Sequence, residues 1–358
     1  MNNPAPTSEE QLAFLGNIER LLLEGQFVAT YKYALLIALA DLAVRRGRDD
    51  GSELDVPLND IAERFIELYW RQSAPYGSSV GDAGVLRQNT GGQAAVIRAV
   101  DELRKSGLSI GDVRRSRAWS SAVSTVTRNV QDNPLWRLQR LRSGNLEFLY
   151  GHEIHDGCIR LKAGVGANLR RFHGFIIRMA ESEWLRFVQS LPANSYLLGR
   201  TTDLEQFLFG SDRTRLQGMV PSLLDLQHGE CLYCHRAIST AEVDHFIPWA
   251  RYPADLAHNL VLAHRACNQS KKDLMAAETH LEHWLLRNER HSLALAEAGR
   301  NAGVLVDPGR TSSIAEWAYS RASISGAAVW LEKDVTGALD GRWRTLLAKE
   351  HCALPADL

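Results

Sequence analysis

The segment from Cys231 to Asp273 constrains the fold of this chain more than any other part of the sequence. Cys231 and Cys234 are separated by two residues, and after 29 intervening residues His264 and Cys267 repeat that spacing. The first pair suits a tight turn that directs both sulfurs at one point, and the second suits the first turn of a helix. Thiolate and imidazole ligands prefer Zn²⁺, so the sequence predicts a tetrahedral Cys3His zinc site.

The fourth ligand of this site has alternatives. His235 and His258 lie nearby in the sequence, and His264 is preferred because of its spacing to Cys267. Three of the five cysteines fall within the frame, which argues against two chance pairs of small buried residues. Because these three cysteines have a use as metal ligands, no disulfides are expected, which suits a reducing cytosol.

A second group of polar residues lies inside the same segment: Asp244, His245, Asn259 and Asn268. Oxygen atoms of Asp244 and Asn268 suit a hard cation such as Mg²⁺ or Mn²⁺. An imidazole titrates near neutral pH, so His245 can accept a proton from water. A metal opposite this histidine would stabilise charge on a scissile phosphate. The amide of Asn259 is expected to bond a backbone group and fix the orientation of His245.

The order of these motifs, CxxC, DHxxP and then NLxxxHxxCN, resembles that of HNH endonucleases of the zinc-stabilised ββα-metal, treble-clef-like type. The resemblance covers residues 231–273 and implies a fold of two strands followed by a helix. It implies that His245 is the general base and that Asp244 and Asn268 hold the catalytic metal. It departs from the family at His264, where the pattern has a cysteine.

Two lysines follow these motifs. By the same resemblance, Lys271 matches a phosphate-contacting position, and Lys272 can meet phosphate together with backbone N–H groups at the start of the helix. The alternative for both is a solvated pair of lysines.

A basic stretch lies far upstream of the HNH-like segment. Residues 98–142 contain ten Lys or Arg residues and four Asp or Glu residues, whereas the whole chain has a net charge of −1. Local charge rather than the total determines nucleic-acid binding, so this stretch is a candidate phosphate-binding face. Its candidate contacts are Arg114, Arg115 and Arg117. A solvated helical surface is the alternative.

Hydrophobic patterns predict the remaining elements. Thr30–Arg46 reads as a helix that is apolar around most of its circumference and therefore buried. Short strands are predicted at 146–150, 158–162, 242–247 and 259–263, with residues 151–158 as a polar hairpin loop. A helix is predicted from Arg265 through Ala277. The fold class is therefore α+β and predominantly α-helical, with an α-rich N-terminal domain at 1–195 and an HNH domain at 196–358, whose core is 231–275 and which ends in a helical extension.

These features predict a metal-dependent endonuclease that hydrolyses phosphodiester bonds, with double-stranded DNA as the expected partner. One site cuts one strand, so double-strand cutting needs a homodimer or two visits. The modular arrangement resembles that of bacterial restriction and phage-defence nucleases, which implies that pathway and a defence-system partner protein. Two alternatives are a zinc-stabilised nucleic-acid-binding or adaptor module that does not cut, and a nuclease effector held inactive until its N-terminal domain senses a partner or ligand.

The location of the protein is also predicted from the sequence. The polar N-terminus shows no signal peptide, and the longest apolar run, Tyr33–Val44, is interrupted by Asp41 and too short to span a bilayer. We therefore expect a cytoplasmic protein without membrane association.

Overall fold

The computed structural model describes residues 3–77, 84–92, 94–198 and 203–350, and the chain divides into two compact units. The first unit comprises Met1–Leu108 and Val113–Gly210, and the second comprises Ser109–Asp112 and Ser211–Leu358. Helices dominate and the sheets are small, so the predicted helix-rich α+β fold is confirmed. Among the described residues, we find no helix that is long and apolar enough to cross a membrane.

The first unit is built from helices with a small antiparallel sheet. Its elements are α1 (Ser8–Glu24), α2 (Tyr31–Arg46), β1 (Leu54–Pro57), α3 (Leu58–Gln72), α4 (Ala95–Lys105), α5 (Ile110–Val113, shared with the second unit), α6 (Arg117–Asp132), α7 (Pro134–Arg137), β2 (Arg140–Leu141), β3 (Gly144–Asn145), β4 (Tyr150–His155), β5 (Cys158–Leu161), α8 (Val165–Arg171), α9 (His173–Ser190), α10 (Ser195–Leu198) and α11 (Leu204–Phe209).

Helix α2 is the centre of the first unit. Every residue from Lys32 to Val44 is buried, as its nearly continuous apolar sequence predicted. Alanines in successive turns of this helix leave room for α3, α8 and α9, which pack against it. The hydroxyl of Thr30, just before the helix, lies 2.6 Å from the phenol oxygen of Tyr69 in α3, so the polar groups at this buried end are paired.

The sheet of the first unit has the strand order β1-β5-β4, with β5 antiparallel to both neighbours. The predicted strand at 146–150 and the loop at 151–158 were wrong: β4 covers Tyr150–His155, and the chain turns at Asp156 and Gly157, where φ is 48° and 73°. Because β4 is an edge strand whose side chains mostly face solvent, its polar sequence is typical of a loop.

Helix α11 packs within the first unit. The ring of Phe207 lies 4.9 Å from that of Tyr76, and the ring of Phe209 lies 5.5 Å from that of Trp184. The first unit therefore extends to Gly210, beyond the division at 195/196 that the sequence suggested. That each part folds as an independent domain stays a prediction.

The second unit contains the HNH-like segment and a longer C-terminal region. Its elements are α12 (Arg213–Gly218), α13 (Val220–Leu226), β6 (Ala241–His245), β7 (Leu260–His264), α14 (Arg265–Lys271), β8 (Met275–Ala276), α15 (Glu278–Ala302), α16 (Pro308–Ile324), β9 (Val329–Glu332), β10 (Val335–Gly337) and α17 (Trp343–Glu350). Short 3-10 helices at Pro192–Asn194 and Ala257–Asn259 complete the two units.

Strands β6 and β7 form an antiparallel pair at the positions that the hydrophobic runs predicted. Asp244 lies opposite Val261 and His245 lies opposite Leu260, while α14 packs on both strands. This is the strand-strand-helix order that the motif resemblance implied. Strand β7 is buried along Leu260–Ala263 and packs against α13 and α14.

Helix α14 is shorter than predicted. It ends at Lys271, and Lys272 adopts a positive φ of 47°, which stops the helix. The next apolar residues form β8, which pairs in parallel with β9, Met275 opposite Val329. The expectation of a helix through Ala277 was therefore wrong, because a strand partner more than 50 residues away in the chain decides the local structure.

Candidate metal and catalytic site

The four predicted zinc ligands converge at the junction of the strand pair and α14. Cys231 and Cys234 lie in a turn before β6, where His235 donates its backbone N–H to the carbonyl of Cys231. His264 caps α14 and Cys267 lies in its first turn. The ligand atoms of the four side chains all lie within 4.8 Å of one another.

The donor set and its geometry fit a zinc ion. A tetrahedral site with bonds of about 2.3 Å separates its sulfur ligands by about 3.8 Å. Sγ of Cys234 lies 3.3 Å from Nδ1 of His264, and Nε2 of His264 donates to the carbonyl oxygen of Ala237 at 3.0 Å. That second hydrogen bond leaves the lone pair on Nδ1, the nitrogen that faces the sulfurs. The cluster can therefore hold zinc.

The two alternative histidines lie outside this cluster. Nε2 of His235 lies 2.9 Å from Nδ1 of His283 on α15. Nε2 of His258 lies 3.2 Å from the carbonyl oxygen and the hydroxyl of Ser292, and burial, followed by the charge of Arg287, lowers the pKa of His258 to about 4. His264 is thus the histidine that joins the three cysteines.

His245, at the end of β6, is held by a carboxylate. Its Nε2 atom lies 2.8 Å from Oδ1 of Asp255, and its ring centroid lies 5.3 Å from that of Trp249. The hydroxyl of Ser211 donates to both oxygens of Asp255, at 2.8 and 3.0 Å, and the backbone N–H of Asp212 donates at 3.2 Å. These contacts fix the carboxylate and, through it, the plane of the imidazole.

The same contacts set the charge of Asp255. Burial alone raises the pKa of this carboxyl group, but hydrogen bonding and the charge of His245, followed by the hydrogen bonds from Ser211 and Asp212, lower it below its ordinary value. Asp255 is therefore ionised at neutral pH, and the Nε2–H tautomer of His245 donates to it. In that tautomer, Nδ1 of His245 carries the lone pair.

Asp244 is nearly buried, with 8% of its surface exposed. Its Oδ2 accepts a hydrogen bond of 2.6 Å from the phenol of Tyr233 and pairs at 3.0 Å with the ammonium of Lys271. Burial of the phenol, followed by the charge of Asp244, raises the pKa of Tyr233, so the phenol stays protonated and remains a donor. A buried charge of this kind is tolerated because it is paired and hydrogen-bonded.

Lys271 has a different position from the one expected of a phosphate contact. Its side chain is fully buried, and its ammonium also donates to the carbonyl oxygen of His245 at 3.0 Å. Phosphate contact by Lys271 therefore does not fit the structure, because its buried ammonium links α14 to Asp244 and His245 of β6. Lys272, in contrast, is exposed.

Asn259 and Asn268 make different kinds of contact. The amide of Asn259 bonds the backbone of Ile247 in both directions, accepting from its N–H at 2.8 Å and donating to its carbonyl at 3.0 Å. This fixes the chain two residues after His245. Asn268, on α14, donates its amide N–H to Oε2 of Glu242 at 3.0 Å, and Glu242 shares a face of β6 with Asp244. The side chains of Asp244 and Asn268 therefore belong to the same contact between β6 and α14.

The three predicted arginine contacts lie in the first unit. Arg114 pairs with Glu63 at 2.9 Å and with Glu67 at 3.1 Å, so its charge is already neutralised inside the protein. Arg115 and Arg117 are exposed. Two of the three are therefore accessible from the solvent.

Sequence reasoning missed the residues that surround the catalytic candidates. Asp255 and Ser211 hold His245, while Tyr233 and Glu242 contact Asp244 and Asn268. Ser211 is 34 residues before His245 in the chain, so no spacing rule connects them. The one available signal is an acidic residue, Asp255, in the loop between two predicted strands.

Two families match this chain. The family described as HNH endonuclease matches residues 231–277, which contain the Cys/His cluster, β6, β7 and α14, and it confirms the resemblance inferred from the motifs. The family described as Domain of unknown function (DUF8808) matches residues 10–207, more than half of the chain. No curated protein and no solved structure matches it.

Proposed function

Because this chain belongs to the family described as Domain of unknown function (DUF8808) and carries an HNH endonuclease segment, we propose that it is a metal-dependent endonuclease that hydrolyses phosphodiester bonds of DNA. The observation that carries this proposal is the 2.8 Å contact between Nε2 of His245 and Asp255. A non-cutting zinc adaptor has no use for a histidine that is oriented in this way and directly follows Asp244 in the chain.

In this proposal His245 is the general base. With Nε2–H donated to Asp255, the Nδ1 atom accepts a proton from a water molecule. The water oxygen forms a bond to phosphorus while the bond from phosphorus to the 3′ oxygen breaks. The leaving 3′ oxygen takes a proton from solvent water, so the ends that remain are a 5′-phosphate and a 3′-hydroxyl. The Asp255 carboxylate stabilises the imidazolium that forms on His245.

Asp244 and Asn268 are the proposed ligands of Mg²⁺ or Mn²⁺. Both contacts of the Asp244 carboxylate, to Tyr233 and to Lys271, are made by Oδ2, so Oδ1 is the proposed ligand atom. Asn268 uses its amide nitrogen to reach Glu242, and its amide oxygen is the proposed second ligand. When bound, such an ion supplies Lewis-acid stabilisation of charge on the phosphate and the leaving oxygen.

The zinc proposed at the Cys/His cluster has a structural role. It joins the turn at Cys231 and Cys234 to the start of α14 at His264 and Cys267. All four positions are thus taken by protein ligands, which is typical of structural rather than catalytic zinc. The ion therefore contributes folding free energy and no chemistry.

We propose double-stranded DNA as the substrate, with Arg115, Arg117 and Lys272 as exposed candidates for phosphate contact. One site of this kind cuts one strand per event, so breaks in both strands need a homodimer or a second visit. Restriction or phage defence is the proposed pathway, from the resemblance of the modular arrangement alone, and a defence-system partner protein belongs to that proposal.

The experiment that tests this function uses the full-length protein on supercoiled, linear and single-stranded DNA and on RNA. Each substrate is incubated with Mg²⁺, Mn²⁺, Zn²⁺ or chelator. We expect nicked circles with Mg²⁺ or Mn²⁺ and intact plasmid with Zn²⁺ or chelator. Binding of DNA without cleavage under every condition would favour the adaptor, and cleavage confined to RNA would change the substrate class.

A further inference from the structure

A cavity of about 540 Å³ in the first unit is lined by several positively charged side chains. It lies between the start of α2, the segment before α4, and α7, and four of its lining residues are cationic: Lys32, Arg98, Arg137 and Arg140. No Asp or Glu lines it in the part of the chain that the structure describes. Three of the four cations come from the basic stretch 98–142, so that stretch contributes to a concave site and not only to a solvated helical surface.

Lys32 gives this cavity a buried positive charge. Only 6% of the residue is exposed. Its ammonium lies 3.4 Å from the carbonyl oxygen of Arg140 and 5.1 Å from the ring centroid of Phe27, and neither of these groups carries negative charge. Burial, and then the charges of Arg137 and Arg140, lower the pKa of Lys32 to about 8. Such clustering of like charges is unfavourable by itself and becomes favourable beside a bound anion.

The rest of the lining is uncharged and combines polar side chains with apolar ones such as Val28 and Pro134. Asn89, Asn129 and Asn133 contribute amides, and the phenol oxygen of Tyr31 accepts the backbone N–H of Val96 at 3.1 Å. Ala95, in the first turn of the 11-residue helix α4, also lines the cavity, and the positive end of a helix dipole favours an anion. Amides and a tyrosine ring suit the edge and the face of a nucleobase.

We propose that this cavity binds a phosphorylated small molecule of nucleotide size, with its phosphate groups against Lys32, Arg137 and Arg140 and its polar ring system against the asparagines. The volume lies within the range of small-molecule sites, about 300–1,000 Å³. A polynucleotide strand would instead follow an open groove lined by exposed basic side chains, whereas here the basic side chain of Lys32 is buried. This inference is independent of the nuclease activity proposed for the second unit.

The test measures binding to the full-length protein in the presence of chelator, so that no metal at the HNH segment contributes. Isothermal titration uses each of the four ribonucleoside triphosphates, sodium tripolyphosphate and adenosine as probes. We expect at least one triphosphate to bind with one site per chain, tripolyphosphate to compete with it, and adenosine to bind far more weakly, because charge provides most of the attraction.

The double variant Arg137→Ala/Arg140→Ala should weaken triphosphate binding by roughly tenfold or more. The matched control, Arg20→Ala/Arg186→Ala, removes the same charge from exposed helix positions outside the cavity and should change the affinity less than twofold. Lys32→Met should weaken binding as well, and circular dichroism checks that each variant is folded.

Three results would overturn the proposal: no binding of any triphosphate, equal weakening by the two double variants, or binding of a single-stranded oligonucleotide that no triphosphate displaces. The last result would assign the basic residues to polynucleotide contact instead.

Discussion

The imidazole of His245 and the carboxylate of Asp255 are 2.8 Å apart, although His245 ends a strand and Asp255 lies in the following loop. The pairing decides which ring nitrogen can accept a proton, because Nε2–H is held by the carboxylate. The hydroxyl of Ser211 donates a hydrogen bond to the same carboxylate. The general-base role proposed for His245 depends on that orientation.

Replacement of Asp255 by Asn should slow cleavage by roughly 10²- to 10⁴-fold, because a neutral amide stabilises the imidazolium less than a carboxylate does. DNA affinity should change little, and the acidic limb of the pH–rate profile should move to lower pH. The measurement is single-turnover plasmid nicking across pH. Asp225→Asn, an exposed carboxyl group on α13, is the matched control and should leave rate and profile unaltered; an Asp255→Asn enzyme as fast as this control would refute the positioning role.

Loss of one zinc ligand should remove the metal. We expect Cys234→Ser to contain less than one tenth of the zinc of the parent protein and to melt at a lower temperature, because structural zinc contributes directly to folding. Metal analysis and thermal melting measure both effects. Cys158→Ser, at a partly exposed cysteine outside the cluster, should retain zinc and melting temperature. A stable, zinc-free Cys234→Ser protein would contradict the structural role.

Lys271 and Lys272 should differ sharply in their contribution to the free energy of unfolding. Lys271→Met leaves Asp244 buried without its ion-pair partner and should lower the free energy of unfolding by about 3–5 kcal/mol. Lys272→Met removes an exposed charge and should change the free energy of unfolding by less than about 0.5 kcal/mol. Urea denaturation distinguishes the two variants. Equal and small effects would show that the buried pair is not formed in solution.

The stability of the first unit should depend on pH through Lys32. Its pKa is lowered from 10.5 to about 8 in the folded chain, so between these values the unfolded chain binds more protons and stability rises with pH. Relative to Lys32→Met, the parent protein should gain about 1–3 kcal/mol between pH 7.5 and pH 10.5 in the absence of ligand. A flat difference in unfolding free energy over this window would mean that the ammonium is solvated.

Features that depend on a short segment of the sequence could be predicted, and features that depend on distant segments could not. The Cys231, Cys234, His264 and Cys267 frame and the strand pair could be predicted because each depends on spacing within a short segment. The end of α14 could not, since β8 forms only where the distant β9 is available.

Burial explains the remaining differences at the site. From the sequence, Lys271 is expected to be exposed, because most lysines are. The packing of α14 on β6 buries its side chain against Asp244. The partners of His245 come from the loop after β6 and from the start of the second unit, so their convergence depends on tertiary structure.

The most direct test of the central claim is plasmid nicking by His245→Ala in Mg²⁺ or Mn²⁺, beside the parent protein. The account predicts that nicking is abolished while zinc content and melting temperature are retained, because His245 contributes the proton acceptor and not the fold. Nicking at the parental rate by a folded, zinc-loaded His245→Ala protein would contradict it.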